Sequence, residues 1–145
     1  MGFIFSIVGV FTGVLAFVVS IFGVIHNRFQ AMSEYYSVDR DINFIKARKK
    51  VYTMENDENL SNSDILSDPE VALIISYFHF WGLMVKKRHL PFYIFKSASG
   101  PSIIRMFDIL RPAILERRNC KDNPNPYYAE YFEWLYYKIK KYNKF

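Results

Sequence analysis

Two uncharged apolar runs set the pattern of the chain. Gly2 to Ile25 holds 24 residues without a charge, and Val71 to Val85 holds 15. At about 1.5 Å per residue the first run makes about 36 Å of helix, against a hydrocarbon core of about 30 Å. It is long enough to span a bilayer with some tilt. The second makes about 22 Å, short for a span, and is predicted to be the central core helix of a folded domain. A short or re-entrant second membrane segment is the alternative for that run.

A cleaved signal peptide would have a basic n-region, a shorter apolar run and a small-residue cleavage site. Only Met1 precedes the first run, no Lys or Arg stands before it, and no such site follows. The pattern therefore predicts an uncleaved anchor. His26-Asn27-Arg28 ends the run, and Arg40, Lys46, Arg48, Lys49 and Lys50 lie downstream. By the positive-inside rule the N-terminus is outside and the rest of the chain is cytoplasmic, at the inner (plasma) membrane.

Every Gly, Ala and Ser of the first run falls on one stripe: Gly2, Ser6, Gly9, Gly13, Ala16, Ser20 and Gly23. The spacings alternate 4 and 3 without a break, a period of 3.5. That period keeps one face toward a partner through a left-handed crossing. Small side chains let two backbones approach, and packing drives helix association in lipid. Gly9 and Gly13 also form a Gly-x-x-x-Gly pair, while Phe17 and Phe22 fall off the stripe. The expected partners are the bilayer and either a second copy of this chain or another membrane helix. The blander reading is that Gly is common in membrane helices.

Downstream, the first helix is expected to continue to Tyr36, dividing the chain into residues 1–36 (span and extension) and 37–145 (helical domain). Ser37 or Asp39 is the expected cap of a second helix reaching Thr53, with Val38, Ile42, Ile45 and Val51 inward and the lysines outward. Residues 55–67 are acidic and rich in turn formers, and read as a loop. Ser67-Asp68-Pro69-Glu70 starts the core helix, with Ser67 as cap. Lys86-Lys87-Arg88 ends it, where cations suit the helix dipole. Residues 92–95 read as a short helix and 97–101 as a turn. Residues 103–118 form a helix with Ile103, Phe107, Leu110, Ile114 and Leu115 inward, kinked or split at Pro112. Tyr127 to Tyr142 is the last helix, with Tyr128, Tyr131, Phe132, Leu135 and Ile139 inward. The predicted class is all-α, one N-terminal transmembrane helix followed by a small helical cytoplasmic domain.

Composition narrows the chemistry. The 145 residues are 51% hydrophobic and 19% aromatic, which excludes disorder over most of the length. One Cys, Cys120, excludes an internal disulfide framework and suits a reducing compartment. With three scattered His, it leaves no four-ligand zinc site. No phosphate-binding glycine loop or calcium loop is present, and no cofactor is expected. His79 reads as a hydrogen-bonded core histidine. Enzyme candidates reduce to Asp108, Glu116, Arg117 and Arg118 around Pro112, a charge pattern that more often makes a surface ion-pair network.

Net charge is +5, modest for a nucleic-acid binder. Residues 71–125 nevertheless hold nine Lys/Arg against three Asp/Glu. Lys46, Lys49, Lys50, Lys138, Lys140 and Lys141 are candidates for contact with an anionic surface, with tyrosines interleaved among the last three. For a tethered protein, lipid headgroups are the nearer polyanion, so nucleic acid is disfavoured.

Three stretches carry a family resemblance: the apolar helix ending in Lys-Lys-Arg, then Phe107-Asp-Ile-Leu-Arg-Pro-Ala-Ile-Leu-Glu-Arg-Arg118, then Tyr128-Ala-Glu-Tyr-Phe-Glu-Trp-Leu135. Over residues 38–140 the chain resembles an uncharacterised family of small bacterial proteins catalogued as a domain of unknown function. The resemblance implies one N-terminal membrane helix and a helical cytoplasmic domain, and it carries over no active-site residues. The function expected is a membrane-anchored regulatory or scaffold protein acting by assembly or partner binding, without catalysis. A tethered lipid- or nucleic-acid-binding module and an unrecognised enzyme are the alternatives. The chain is expected to resist carbonate extraction. Cys120 should escape an impermeant thiol reagent in intact cells and react after permeabilisation and unfolding; reaction in intact cells would reverse the topology.

Overall fold

The structure of the protein, a computed structural model, describes residues 2–57, 59–96 and 99–143, with the side chains of 2–11 and 143 outside that description. Among the described residues there are six α-helices, one 3₁₀ helix and no strand, so the all-α class is observed.

Helix α1 (Gly2–Asp39) runs unbroken for 38 residues. Asp41, not Ser37 or Asp39, caps α2 (Ile42–Met54), accepting from the amides of Asn43 at 2.8 Å and Phe44 at 3.2 Å. Ser37 and Asp39 are still inside α1, and the Asp39 carboxylate accepts from Arg48 at 3.0 Å. The inner face of α2 is Phe44, Ala47 and Val51, one helical stripe that drives Phe44 against Tyr77 at 4.2 Å between ring centroids. Ile42 and Ile45, expected inward, stand on the opposite side at 60% and 40% exposure.

The expected loop at 55–67 contains a short helix, α3 (Asn62–Ser67). The Ser61 hydroxyl accepts from the Asp64 amide, and Ile65 anchors the helix in the core. Asp68 closes α3 and opens α4 (Pro69–Lys86), accepting from the amides of Glu70 and Val71. Ser67 is therefore not the cap; its hydroxyl donates to the Asp64 carbonyl instead. Pro69 in the first turn loses nothing, because amides there have no intrahelical partner.

Helix α4 is the centre of the domain, burying Val71, Ile74, Ile75, Tyr77, Phe78, Trp81 and Val85. After it come the 3₁₀ helix Phe92–Phe95, α5 (Ser99–Arg118) and α6 (Glu130–Asn143). Pro112 does not split α5. Pro112 and Asp108 are both exposed, so the carbonyl deprived of a donor four residues upstream has water beside it. The inner face of α5 includes Ile103, Phe107, Leu110 and Ile114 as expected, whereas Leu115 is 40% exposed. Helix α6 starts at Glu130 rather than Tyr127, after Ala129 in the left-handed region at φ 57°. It buries Phe132, Leu135, Tyr136 and Ile139, with Tyr128 and Tyr131 half-buried.

Helices α4 and α6 come into close backbone contact at Gly82. A methyl group placed there would lie 2.7 Å from the carbonyl carbon of Tyr131 and closer still to its oxygen. Backbone cannot rotate away as a side-chain tip can, so any larger residue separates the two helices. Gly82→Ala should destabilise the domain by about 1–3 kcal/mol even though Ala gains about 1 kcal/mol in helix propensity. Gly23→Ala, with nothing within 4 Å, should not lower the thermal unfolding temperature. Equal melting of the two variants would refute the close-approach role of Gly82.

Candidate functional site

The feature that sets this molecule apart is the outer half of α1. Thr12–Asp39 is the one stretch among the described residues long and apolar enough to cross a membrane, and none of its most apolar window is buried. Leu15, Phe17, Val19 and Phe22 are each more than 60% exposed. A helix apolar on all sides and open on all sides lacks the solvent its surface requires. The second apolar run, α4, is instead enclosed by α2, α3 and α6.

Of the small-residue stripe, Gly13, Ala16, Ser20 and Gly23 lie on open surface, and nothing approaches the two glycines within 4 Å. At about 100° per residue these four fall within an arc of about 80°. Gly2, Ser6 and Gly9 lie among the residues whose surroundings fall outside the description.

The same helix then enters the core. Ala31 is buried, and the Tyr35 ring meets Phe95 at 5.2 Å and Trp81 at 5.4 Å between centroids, both edge-on. Tyr77 donates its hydroxyl to the Tyr35 carbonyl at 3.2 Å. Burial pushes the Tyr77 phenol well above its ordinary range, so it remains a donor at any physiological pH. An open groove of about 600 Å³ runs beside this junction, lined by Phe29, Met32, Ser33, Tyr36, Ser37 and Arg40.

The six candidate lysines do not form one patch. Lys46 and Lys49 are exposed on α2. Lys50 pairs with Asp68 at 2.9 Å and Glu70 at 3.4 Å, which raises the lysine and lowers Asp68. On α6, Lys138 stands 4.8 Å from the Phe92 ring centroid and 4.6 Å from that of Trp134. Lys140 donates to the Tyr136 hydroxyl at 3.0 Å, and Lys141 is exposed. Lys96, which charge counting alone did not single out, stands 3.8 Å from the Tyr142 ring centroid.

The four enzyme candidates are separately engaged. Asp108 accepts from the Tyr136 hydroxyl at 2.8 Å, and Glu116 accepts from Asn62 at 2.7 Å. Arg117 donates to the Asn123 carbonyl, while Arg118 donates to the Tyr128 carbonyl and pairs with Glu133 at 2.6 Å. Asp108 lines one cavity, with Glu55 and Arg105; Glu116 and Arg117 line another, with Cys120.

His79 departs from its expected role. Its Nδ1 is buried without a hydrogen-bond partner, and its ring tilts against Tyr131 at 5.0 Å. It lines an open cavity of about 470 Å³ with Ser76, Asn125, Tyr127, Tyr128 and Glu130.

The fold thus defines a class: a small helical domain grown on the end of one long apolar helix. The family described as Domain of unknown function (DUF4760) matches residues 10–139, about nine-tenths of the chain, and the protein belongs to that family. The match begins within the apolar helix, so that helix is part of the family's own domain as well as the region from residue 38 onward. No curated protein and no solved structure matches the chain.

Burial holds the His79 imidazole below its ordinary pKa, against a weaker upward pull from Glu130. The unfolded chain therefore takes up that proton first, and domain stability should fall as pH drops through about 6.5 and below. The Asp68 contribution is lost only in the carboxylate range, as pH falls through its lowered folded value. Thermal unfolding in detergent from pH 7.5 to 5, about the window in which histidine titrates, should show the fall. His79→Gln should flatten it; an unchanged slope would assign the dependence elsewhere.

Proposed function

We propose that this protein is a single-pass, membrane-anchored scaffold or regulatory protein that acts by assembly and partner binding rather than by catalysis. In this reading α1 spans the inner membrane of a bacterium, with its N-terminus outside and the helical domain in the cytoplasm. The observation that carries it is the continuity of α1. One uninterrupted helix is open over residues 12–30 and apolar as far as Ile25, yet supplies Ala31 and Tyr35 to the domain core. Lipid is the solvent that suits the first half, as water suits the charged exterior of the second. The flank that begins at Arg28 supports the orientation.

Assembly is supported by the open face at Gly13, Ala16, Ser20 and Gly23, where a second helix could approach to backbone contact. The partner is a second copy of this chain or another membrane helix. The dispersed bonds of Asp108, Glu116, Arg117 and Arg118 favour a structural over a catalytic role for those four.

Gly13→Ile places a branched side chain on the stripe, whereas Val14→Ile adds bulk one residue away, at a position already 57% exposed. Overpacking of the first kind costs about 1–3 kcal/mol, or about ten- to hundredfold in association. Crosslinking of the full chain in membranes should show the loss for Gly13→Ile and not for Val14→Ile. No crosslinked copy of the unmodified chain would leave a different membrane helix as the partner. Equal losses would remove the stripe from the mechanism.

A further inference from the structure

The lysines fall at two ends of α4, and only one of those ends is fixed to α1 close to its apolar stretch. Phe44 of α2 meets Tyr77, and Lys50 at its far end pairs with Asp68, the cap of α4. Lys46, Lys49 and Lys50 therefore lie toward the N-terminal end of α4. The 3₁₀ helix follows the C-terminal end, where Met84 accepts from the amides of His89 and Leu90. This turn is fixed to α1 twice: Phe95 packs on Tyr35, and Tyr93 donates its hydroxyl to the Met32 sulfur at 3.4 Å. Met32 is seven residues beyond Ile25, or about 10 Å along the helix. Headgroups reach about 5–8 Å beyond the hydrocarbon on each side.

We propose that the turn Phe92–Phe95 and the C-terminal end of α6 form a face that rests on the bilayer holding α1, with Lys96 and Lys138 meeting the phosphates of anionic phospholipids. The two lysines and two aromatic rings make one cluster. Lys96 stands over Tyr142, Lys138 stands over Phe92, and those rings are 5.8 Å apart. Tyr93 and Tyr142 are 57% and 54% exposed, the amphipathic ring type that favours the headgroup zone. The two stretches of chain that supply these lysines carry charge of one sign. No Asp or Glu occurs from Val71 to Phe107 or from Trp134 to the last residue, stretches that supply Lys96, Lys138 and Lys141. Screening at physiological salt acts over about 8 Å, so these cations sense headgroups at the estimated height, while α2 follows only after α1 ends at Asp39, about 21 Å along its axis beyond Ile25. Lysine stems can lie on the rings while their ammonium groups reach the phosphates.

This inference rests on the membrane anchoring proposed above, and the test separates the two. The full chain with Cys120→Ser carries a single environment-sensitive fluorophore, either on Tyr93→Cys or on Lys49→Cys. It is reconstituted in phosphatidylcholine vesicles, with or without phosphatidylserine, containing a headgroup-spin-labelled lipid. Position 93 should be quenched several-fold more than position 49 when phosphatidylserine is present. Lys96→Glu with Lys138→Glu should bring it to the level of position 49, and high salt on the chain with both lysines intact should do the same without altering the fold. Quenching at 93 no stronger than at 49, in a chain that resists carbonate extraction, would overturn the face and leave the anchor standing. Quenching that survives both charge reversals and high salt would overturn the role of the two lysines. A chain stripped by carbonate would remove the anchor, and the face with it.

Discussion

Tyr35 sits on a helix that is apolar and open over residues 12–25, yet its own ring is enclosed by Tyr77, Trp81 and Phe95. The rest of the arrangement depends on that enclosure. With Ala31 it holds the domain to the helix, and its backbone carbonyl accepts from Tyr77, so the junction is both packed and bonded. Loss of a buried aromatic of this kind costs about 3–5 kcal/mol, a large part of the stability of a small domain. The turn into α2 comes only after this contact, at Asp41, so α1 meets the core before the chain changes direction.

The aromatic network spreads from that ring through the centre. Phe44 and Tyr77 join α2 to α4, Phe78 stacks on Phe132 of α6, and Phe107 of α5 closes against Phe132 and Tyr136. Gly82 sets the α4–α6 spacing from which these ring contacts follow. The core holds its polar atoms less completely than its apolar ones: His79 Nδ1, Trp81 Nε1 and an Arg118 guanidinium nitrogen are buried without partners. The first two lie on α4 close to Gly82, where the nearness of α6 leaves little choice of side-chain direction.

What the sequence reveals depends on how long the signal is. The 24-residue apolar run, the core helix and the inner faces of α5 and α6 are readable because their patterns repeat over several turns. Helix α3 is not, because its six residues offer one buried anchor, Ile65, inside a polar stretch. The cap of α4 shifts from Ser67 to Asp68 because both residues can cap, and Pro69 at the first helical position decides between them. On α2, Ile42 and Ile45 are longer hydrophobes than Ala47, but Phe44 fixes the rotation and Ala47 fits beneath it. The stripe on α1 is legible as spacing. The grouping of Lys96 with Lys138 is not, because it needs the turn of chain that brings residue 92 beside residue 142.

The geometry of α1 also constrains how the proposed assembly could be built. At about 100° per residue, Ala31 lies about 40° and Tyr35 about 80° from the mean direction of Gly13, Ala16, Ser20 and Gly23. Phe29 and Tyr36, on the far side, are exposed at 70% and 43%. The domain therefore hangs on nearly the same side of the helix as the stripe. Two parallel copies joined along the stripe would hold their axes about 8–10 Å apart at the crossing. A domain of about 100 residues has a radius of gyration of about 13 Å, so two such bodies cannot fit between the helices, and in a two-fold pair the offset of Ala31 and Tyr35 from the stripe would carry them to opposite flanks of the seam. In the proposed homo-oligomer, domain–domain contact would therefore depend on how far that offset separates the two bodies. A partner helix without a bulky domain on that side meets no such constraint. In the proposed assembly, the choice between the two kinds of partner would then turn on whether the domain surfaces beside Ala31 and Tyr35 accommodate a second copy.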